Sequence, residues 1–131
     1  IGQGQSELED YLKEAAEKAG RIISYETHPE AGSYYRSDHF NFAKAGIPAL
    51  YTSNGVEVIG KEPGYGQKAD DEYTEKHYHR PSDEYDPSTW TFEGGIDDIK
   101  LLFQVGKRLA FEEKMPQWKE GSEFKAIREK K

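Results

Sequence analysis

The side chains of this sequence that could do chemistry are four histidines and the carboxylates near them. His77 and His79 are two residues apart, so in an extended segment both imidazoles would point to the same side. Two such rings can bind one metal ion, and Asp83 is close enough in sequence to accept the second ring N–H of His79. Ser82 and Asp83 are equally well explained as turn formers. His79 is therefore a candidate metal ligand, with Asp83 as the carboxylate that orients it.

A second polar group lies between positions 34 and 40. Asp38 precedes His39 at a predicted helix start, and a carboxylate beside an imidazole can serve acid–base chemistry. A Ser-Asp pair is also a common helix entry, so this pattern alone does not indicate catalysis. His28 lies on an apparent turn, and we interpret it as a structural residue. The sequence has no G-x-S-x-G, Walker or H-E-x-x-H motif, so the chemistries of those motifs gain no support.

One helix is predicted before these residues, and a second helix is predicted to include His39. Ser6 and Glu9 form a capping-box pattern, apolar residues then recur at helical spacing, and Gly20 is placed to end the helix. A second, shorter helix is predicted from Ser37, as its cap, to Gly46. Both helices carry their own start and stop signals.

Each predicted helix is followed by a β-prone segment, at residues 21–25 and at residues 47–52. Helix followed by strand, twice over, predicts an α/β fold with a mainly parallel, twisted sheet and flanking helices. Residues 54–87 have no regular period, and we interpret them as a long loop that is functional or disordered, with tyrosines ordering part of it.

A final helix with a broad apolar stripe is predicted from Thr91 or Phe92 to Ala110. We assign residues 1–113 to one domain and residues 114–131 to a charged tail that docks by its aromatic side chains. A chain of 131 residues has room for little more than one domain.

The composition limits the classes of partner. Apolar residues make up 34% of the chain and charged residues 33%, so its core must be small. A net charge of −7 is a poor basis for binding nucleic acid. No apolar run is long enough for a membrane span. The chain has no cysteine, which excludes disulfides and thiolate metal sites in this segment.

Three motifs, taken together and in order, resemble those of the co-catalytic di-zinc aminopeptidases of metallopeptidase clan MH. The usual patterns in those enzymes are S-D-H-x-x-F, A/K-G-I/V-P-A and Y-H-x-P-S-D. Their counterparts here lie at residues 37–42, 45–49 and 78–83. The resemblance covers most of residues 1–113 and is carried by the order and spacing of the motifs.

The resemblance implies a parallel sheet with two zinc ions at the carboxyl ends of its strands. By the same resemblance, His79 corresponds to the last zinc ligand along the chain. Tyr34 corresponds to a tyrosine that faces the substrate and the developing oxyanion, and Asp38 to a carboxylate that supports the site by hydrogen bonding. The metal pair would activate a bridging water for attack on a peptide substrate.

The remaining ligands and the glutamate base of that family have no counterpart in this sequence. We therefore expect the chain to be the C-terminal part of a zinc exopeptidase acting on peptide N-termini, inactive alone and without tightly bound zinc. An uncovered apolar face predicts self-association. The resemblance favours a secreted or periplasmic parent.

Two alternatives remain open. A glutaminyl-cyclase-like acyltransferase resembles the same fold, but its motif begins with Asp-Asp-His, where this chain has Ser37, Asp38 and His39. A non-catalytic, protein-binding relative would have kept the fold and lost its metal ligands. Upstream sequence would distinguish this second alternative from a peptidase.

Overall fold

The computed structural model describes residues 1–130 and divides into two compact units. One unit comprises Ile1–Ser53 and Asp97–Lys131, and the other comprises Asn54–Ile96. The described helices are α1 (Leu8–Lys18), α2 (His39–Lys44), α3 (Tyr65–Lys76), α4 (Glu93–Phe111) and α5 (Lys125–Glu129), with 3₁₀ turns at Pro29–Ala31 and Ser33–Arg36. None of the helices in this part of the chain is both long and apolar enough to cross a membrane.

The predicted parallel sheet is wrong. Residues 1–130 contain no strand, and their one β-bridge is an isolated antiparallel pairing of Ser6 with Trp118. A β-prone segment becomes a strand only where a neighbouring strand supplies its ladder partners, because β-propensity mainly reflects side-chain packing. In residues 47–52, carbonyl groups are instead used by the Ser6 hydroxyl and by the amino group of Ile1.

The start and end of α1 follow local signals. The carboxylate of Glu9 reaches back to accept hydrogen bonds from the backbone N–H groups of Gln5 and Ser6, at 2.6 and 3.4 Å. This is one half of the predicted capping box. The other half is absent: the Glu9 N–H donates to the backbone carbonyl of Ser6 at 3.2 Å, and the Ser6 hydroxyl donates to the carbonyl of Ala49. Gly20, with φ of 70°, ends the helix in the left-handed region, as predicted.

α1 packs against α4 in the first unit. Leu8 and Tyr11 of α1 form a buried cluster with Val105 of α4. The guanidinium of Arg108 covers this cluster, 3.7 Å from the centre of the Tyr11 ring. Its Nη1 also donates to Glu14 at 2.9 Å, so α4 is joined to α1 by both apolar and polar contacts.

The tail of the chain supplies part of a second core cluster, as predicted from its aromatic residues. Trp118 and Phe124 are buried with Tyr34 and Ala43. The indole N–H of Trp118 donates to the carbonyl of Gly46 at 3.1 Å, which satisfies a buried carbonyl beyond the end of α2. The tail is therefore an integral part of this core.

The second unit contains a helix where the sequence predicted a loop. α3 occupies residues within 54–87, and residues 54–96 include no buried side chain. Pairs four residues apart stabilise such an exposed helix: Gln67 donates to Asp71, and Lys76 pairs with Glu72. α3 is therefore a helix supported mainly by polar pairs on its own surface.

Candidate functional site

Tyr34 is the most buried of the predicted site residues. It lies in the 3₁₀ turn Ser33–Arg36 and is 5% exposed. Its hydroxyl has no hydrogen-bond partner within the described residues. Burial, followed by the charges of Tyr35, Glu123 and Glu9, raises the pKa of Tyr34 to about 12. The phenol is therefore protonated at neutral pH and has an unused donor.

His39 is the residue that the structure brings to Tyr34. It is the first residue of α2, and its ring lies 4.6 Å from the Tyr34 ring and 4.8 Å from the Tyr51 ring, between centroids. Both ring nitrogens are buried and have no partner within residues 1–130. Burial lowers the pKa of His39. The imidazole is thus held neutral.

Asp38 is exposed at the start of α2. Its carboxylate makes no cap hydrogen bond, and the first turn is closed by backbone bonds, including Phe40 N–H to the Ser37 carbonyl at 3.0 Å. The predicted Ser37 cap is therefore replaced by backbone hydrogen bonds. The supporting role of Asp38 stays a prediction, because its carboxylate points to solvent here.

The tail encloses the other side of Tyr34. The ring of Phe124 lies 6.0 Å from the Tyr34 ring, between centroids. The neighbouring Tyr35 donates its hydroxyl to Glu123 at 2.7 Å, which joins the 3₁₀ turn to the tail. Gly2 lies so close to Tyr34 that a Cβ at that position would overlap the ring. Tyr34 is thus held by residues from both ends of the chain.

His79 lies in the second unit, in a turn after α3. Its φ of 58° places it in the left-handed region, which non-glycine residues rarely adopt. The imidazole is exposed and stacks on the ring of Tyr78, with 3.9 Å between centroids. An accessible imidazole in a strained turn is compatible with a binding role, since such strain is often found at functional sites.

The surroundings of His79 differ from those predicted. His77 caps the end of α3 and His79 is left-handed, so the segment is a turn and not the extended segment in which both imidazoles would point to the same side. The carboxylate of Asp83 accepts a hydrogen bond from Tyr73 at 2.8 Å, and His77 Nδ1 lies 3.2 Å from the Ser82 hydroxyl. Asp83 therefore orients Tyr73 in this structure, and its proposed role beside His79 stays a prediction.

The described residues do not fit a complete zinc site. Zinc in proteins takes three or four side-chain ligands. Among residues 1–130, no group of three His, Cys, Asp or Glu side chains is placed to hold a metal ion. His79 alone supplies one imidazole, so any zinc site that includes it needs ligands from elsewhere.

The sequence missed the contact between His39 and Tyr51. Tyrosines lie in the segment before α2 and in the segment after it. They are the sequence signal that could have predicted ring packing around His39. The separation of His39 and Tyr51 in sequence gives no indication of contact without a fold.

The chain matches a known protein family. The sequence pattern of peptidase family M28 matches residues 1–103. No match was found among curated proteins or among solved structures. The matched range contains all the predicted site residues, Tyr34, Asp38, His79 and Asp83.

Proposed function

The chain belongs to peptidase family M28, and we propose that it is the C-terminal portion of a zinc-dependent exopeptidase that removes residues from peptide N-termini. The observation that carries the proposal is the order of three motifs inside the matched range, at residues 37–42, 45–49 and 78–83. The family match supports a metallopeptidase parent. The specificity for peptide N-termini rests on the resemblance of these motifs to the di-zinc aminopeptidases.

The motif resemblance assigns Tyr34 a role beside the substrate, and the chemical state of its hydroxyl is compatible with that role. A buried phenol with no partner retains its full capacity to donate a hydrogen bond. Its raised pKa keeps the proton in place at neutral pH. A donor of this kind stabilises negative charge that develops on a carbonyl oxygen during peptide hydrolysis. We assign this role to Tyr34 in the intact enzyme.

The proposal assigns one zinc ligand, His79, to this chain. One imidazole does not hold zinc tightly, because catalytic zinc sites use three protein ligands or more. We therefore propose that the isolated chain is inactive and binds no stoichiometric zinc. We also propose, on the resemblance alone, that the parent is secreted or periplasmic, which cell fractionation would test.

The experiment compares this chain with the product of the same reading frame extended upstream. Zinc is measured by mass spectrometry and hydrolysis with aminoacyl chromogenic substrates. We expect zinc and activity in the extended product alone. His79→Ala in that product should remove at least one zinc ion, and His28→Ala, at an exposed histidine paired with Glu30, should remove none. Robust hydrolysis by the isolated chain would refute the proposal.

The same assay distinguishes the other functions. A folded extended product without zinc would identify a non-catalytic, protein-binding relative. Release of ammonia from peptides with an N-terminal glutamine would identify a glutaminyl-cyclase-like acyltransferase. Either result would replace the exopeptidase proposal.

A further inference from the structure

The chain contains two asparagines, and they differ in the residue that follows them. Asn54 precedes Gly55, whereas Asn41 precedes Phe42. The side-chain amide of an asparagine reacts with the backbone nitrogen of the next residue when that nitrogen can reach it. Glycine obstructs this approach least, because it has no Cβ and a freely rotating backbone.

The segment around Asn54 is irregular and open to solvent. Both Asn54 and Gly55 are exposed, and neither belongs to a helix or a strand. A Cβ added to Gly55 would meet no described atom within 4 Å. Exposed loops of this kind change conformation at almost no cost in free energy. The backbone at Asn54 can therefore reach the conformation that the reaction needs.

The two reacting groups are also unpaired. Within residues 1–130, neither the side-chain amide of Asn54 nor the backbone N–H of Gly55 takes part in a hydrogen bond. A hydrogen bond to either group would have to break before the two could react, at a cost in free energy. No such cost opposes the approach of the Gly55 nitrogen to Cγ of Asn54.

Asn41 is held in a different conformation. It lies within α2, and its backbone N–H donates to the carbonyl of Asp38 at 3.2 Å. A helix fixes ψ near about −40°, and Asn41 would have to leave this value for the nitrogen of Phe42 to reach its side chain. Asn41 should therefore react much more slowly than Asn54.

We propose that Asn54 is a site of spontaneous deamidation, at which this chain accumulates isoaspartate. The backbone nitrogen of Gly55 loses its proton and bonds to Cγ of Asn54, and the Cγ–Nδ2 bond breaks with release of ammonia. Water then opens the resulting succinimide. Cleavage of the bond between nitrogen and Cγ gives aspartate, and cleavage of the bond between nitrogen and the backbone carbonyl carbon gives isoaspartate. The whole reaction consumes water, releases ammonia and needs no oxidant or cofactor.

The site lies where the chain passes from one compact unit into the other. Asn54 is the first residue of the second unit, and Ser53 belongs to the first. Both products add one negative charge to a chain whose net charge is −7. Isoaspartate also lengthens the main chain by one methylene group, because the backbone then runs through Cβ and Cγ. The modification therefore changes the length and the charge of a connection between the units.

The first test incubates the whole chain in mildly alkaline buffer made with water enriched in heavy oxygen. Trypsin places the two asparagines in different peptides, at residues 37–44 and 45–61, which are then analysed by mass spectrometry. We expect heavy oxygen and isoaspartate at Asn54, and an unchanged Asn41 over the same time. Equal conversion at the two asparagines, or none at Asn54, would overturn the proposal.

The second test compares the folded chain with the chain unfolded in urea. Because an exposed loop opens at almost no cost, conversion at Asn54 in the folded chain should be within about tenfold of its rate in urea. A larger protection in the folded chain would mean that the segment is closed, and would overturn the proposal.

The third test is the variant Gly55→Val. The φ of Gly55 is not positive, and the added Cβ meets no described atom, so the fold should tolerate the substitution. The stiff, β-branched side chain hinders the approach of its own backbone nitrogen to Asn54. We expect this variant to lose most of the conversion while its helix content by circular dichroism stays unchanged. Conversion at the wild-type rate would contradict the proposed attack by the Gly55 nitrogen.

Discussion

The imidazole of His39 meets the ring of Tyr34 edge-on, with 4.6 Å between the two centroids. The three polar atoms of this pair, one hydroxyl and two ring nitrogens, are buried without a partner within the described residues. Buried polar groups without hydrogen bonds cost stability. A core built in this way retains hydrogen-bonding capacity that a purely structural core would not need.

The first prediction concerns acid sensitivity. Burial lowers the pKa of His39 in the folded chain below its ordinary value of 6.5. As the pH falls through that value, the unfolded chain binds a proton that the folded chain resists, so the free energy of unfolding decreases. His39→Phe keeps the ring contacts and removes the titration. We expect the wild type to lose more stability than this variant between about pH 7 and about pH 5.

Urea unfolding at the two pH values measures the difference. His28→Phe serves as the control, because His28 is exposed and pairs with Glu30, its near neighbour in sequence. This variant should follow the wild type. Identical pH dependence in the wild type and in His39→Phe would contradict the prediction.

The helices with strong local signals were predicted correctly, whereas the predicted parallel sheet was wrong. Gly20 and Gly46 both adopt left-handed φ values at helix ends, and both were read correctly as stops. α3 escaped prediction because Gly66 lies within it and no apolar stripe marks a covered face. The prediction of a sheet failed for another reason. Strand pairing depends on partners distant in sequence, and a β-prone segment does not identify them.

The site divides in the same way. Tyr34 and His79 were proposed as site residues from motifs, because motifs record residue types at fixed local spacing, and their roles stay predictions. The packing of His39 on Tyr51 joins two different segments and depends on the fold. The left-handed conformation of His79 was also missed, since histidine gives no local signal for it.

The second prediction concerns the approach of Gly2 to Tyr34. Gly2 and Gly4 have similar left-handed φ values, 74° and 80°, so alanine at either position costs about 1 kcal/mol of backbone strain. Only at Gly2 does the added Cβ overlap the Tyr34 ring. We expect Gly2→Ala to cost about 2 kcal/mol more than Gly4→Ala in urea unfolding. The excess should vanish in a Tyr34→Ala background. Equal costs at the two glycines would show that the ring gives way freely.

The third prediction tests whether the tail belongs to the core. Trp118 is 3% exposed and packs with Phe124, whereas Trp90 in the other unit is 46% exposed. Trp118→Ala should lower the free energy of unfolding by about 3–5 kcal/mol, because it leaves a cavity and removes the indole hydrogen bond to the Gly46 carbonyl. Trp90→Ala should cost less than about 1 kcal/mol. A small effect at Trp118 would mean that residues 114–131 pack only loosely.

The fourth prediction uses the same substitution at two histidines. His79 has a φ of 58°, a conformation that glycine adopts without the penalty of about 1–2 kcal/mol paid by other residues. His77 has a φ of −124° and a side-chain contact with Ser82. His79→Gly should therefore leave the turn unchanged or stabilise it, whereas His77→Gly should destabilise it.

Hydrogen exchange of the Arg80 amide reports on this turn, because Arg80 N–H donates to the His77 carbonyl at 2.9 Å. Slower or equal exchange in His79→Gly, together with faster exchange in His77→Gly, is the expected result. Faster exchange in both variants would mean that the imidazole of His79 stabilises the turn through its stacking on Tyr78. If the turn is as stable with glycine as with histidine, the imidazole of His79 is not needed for the structure of the turn. That result would favour a role for His79 in binding.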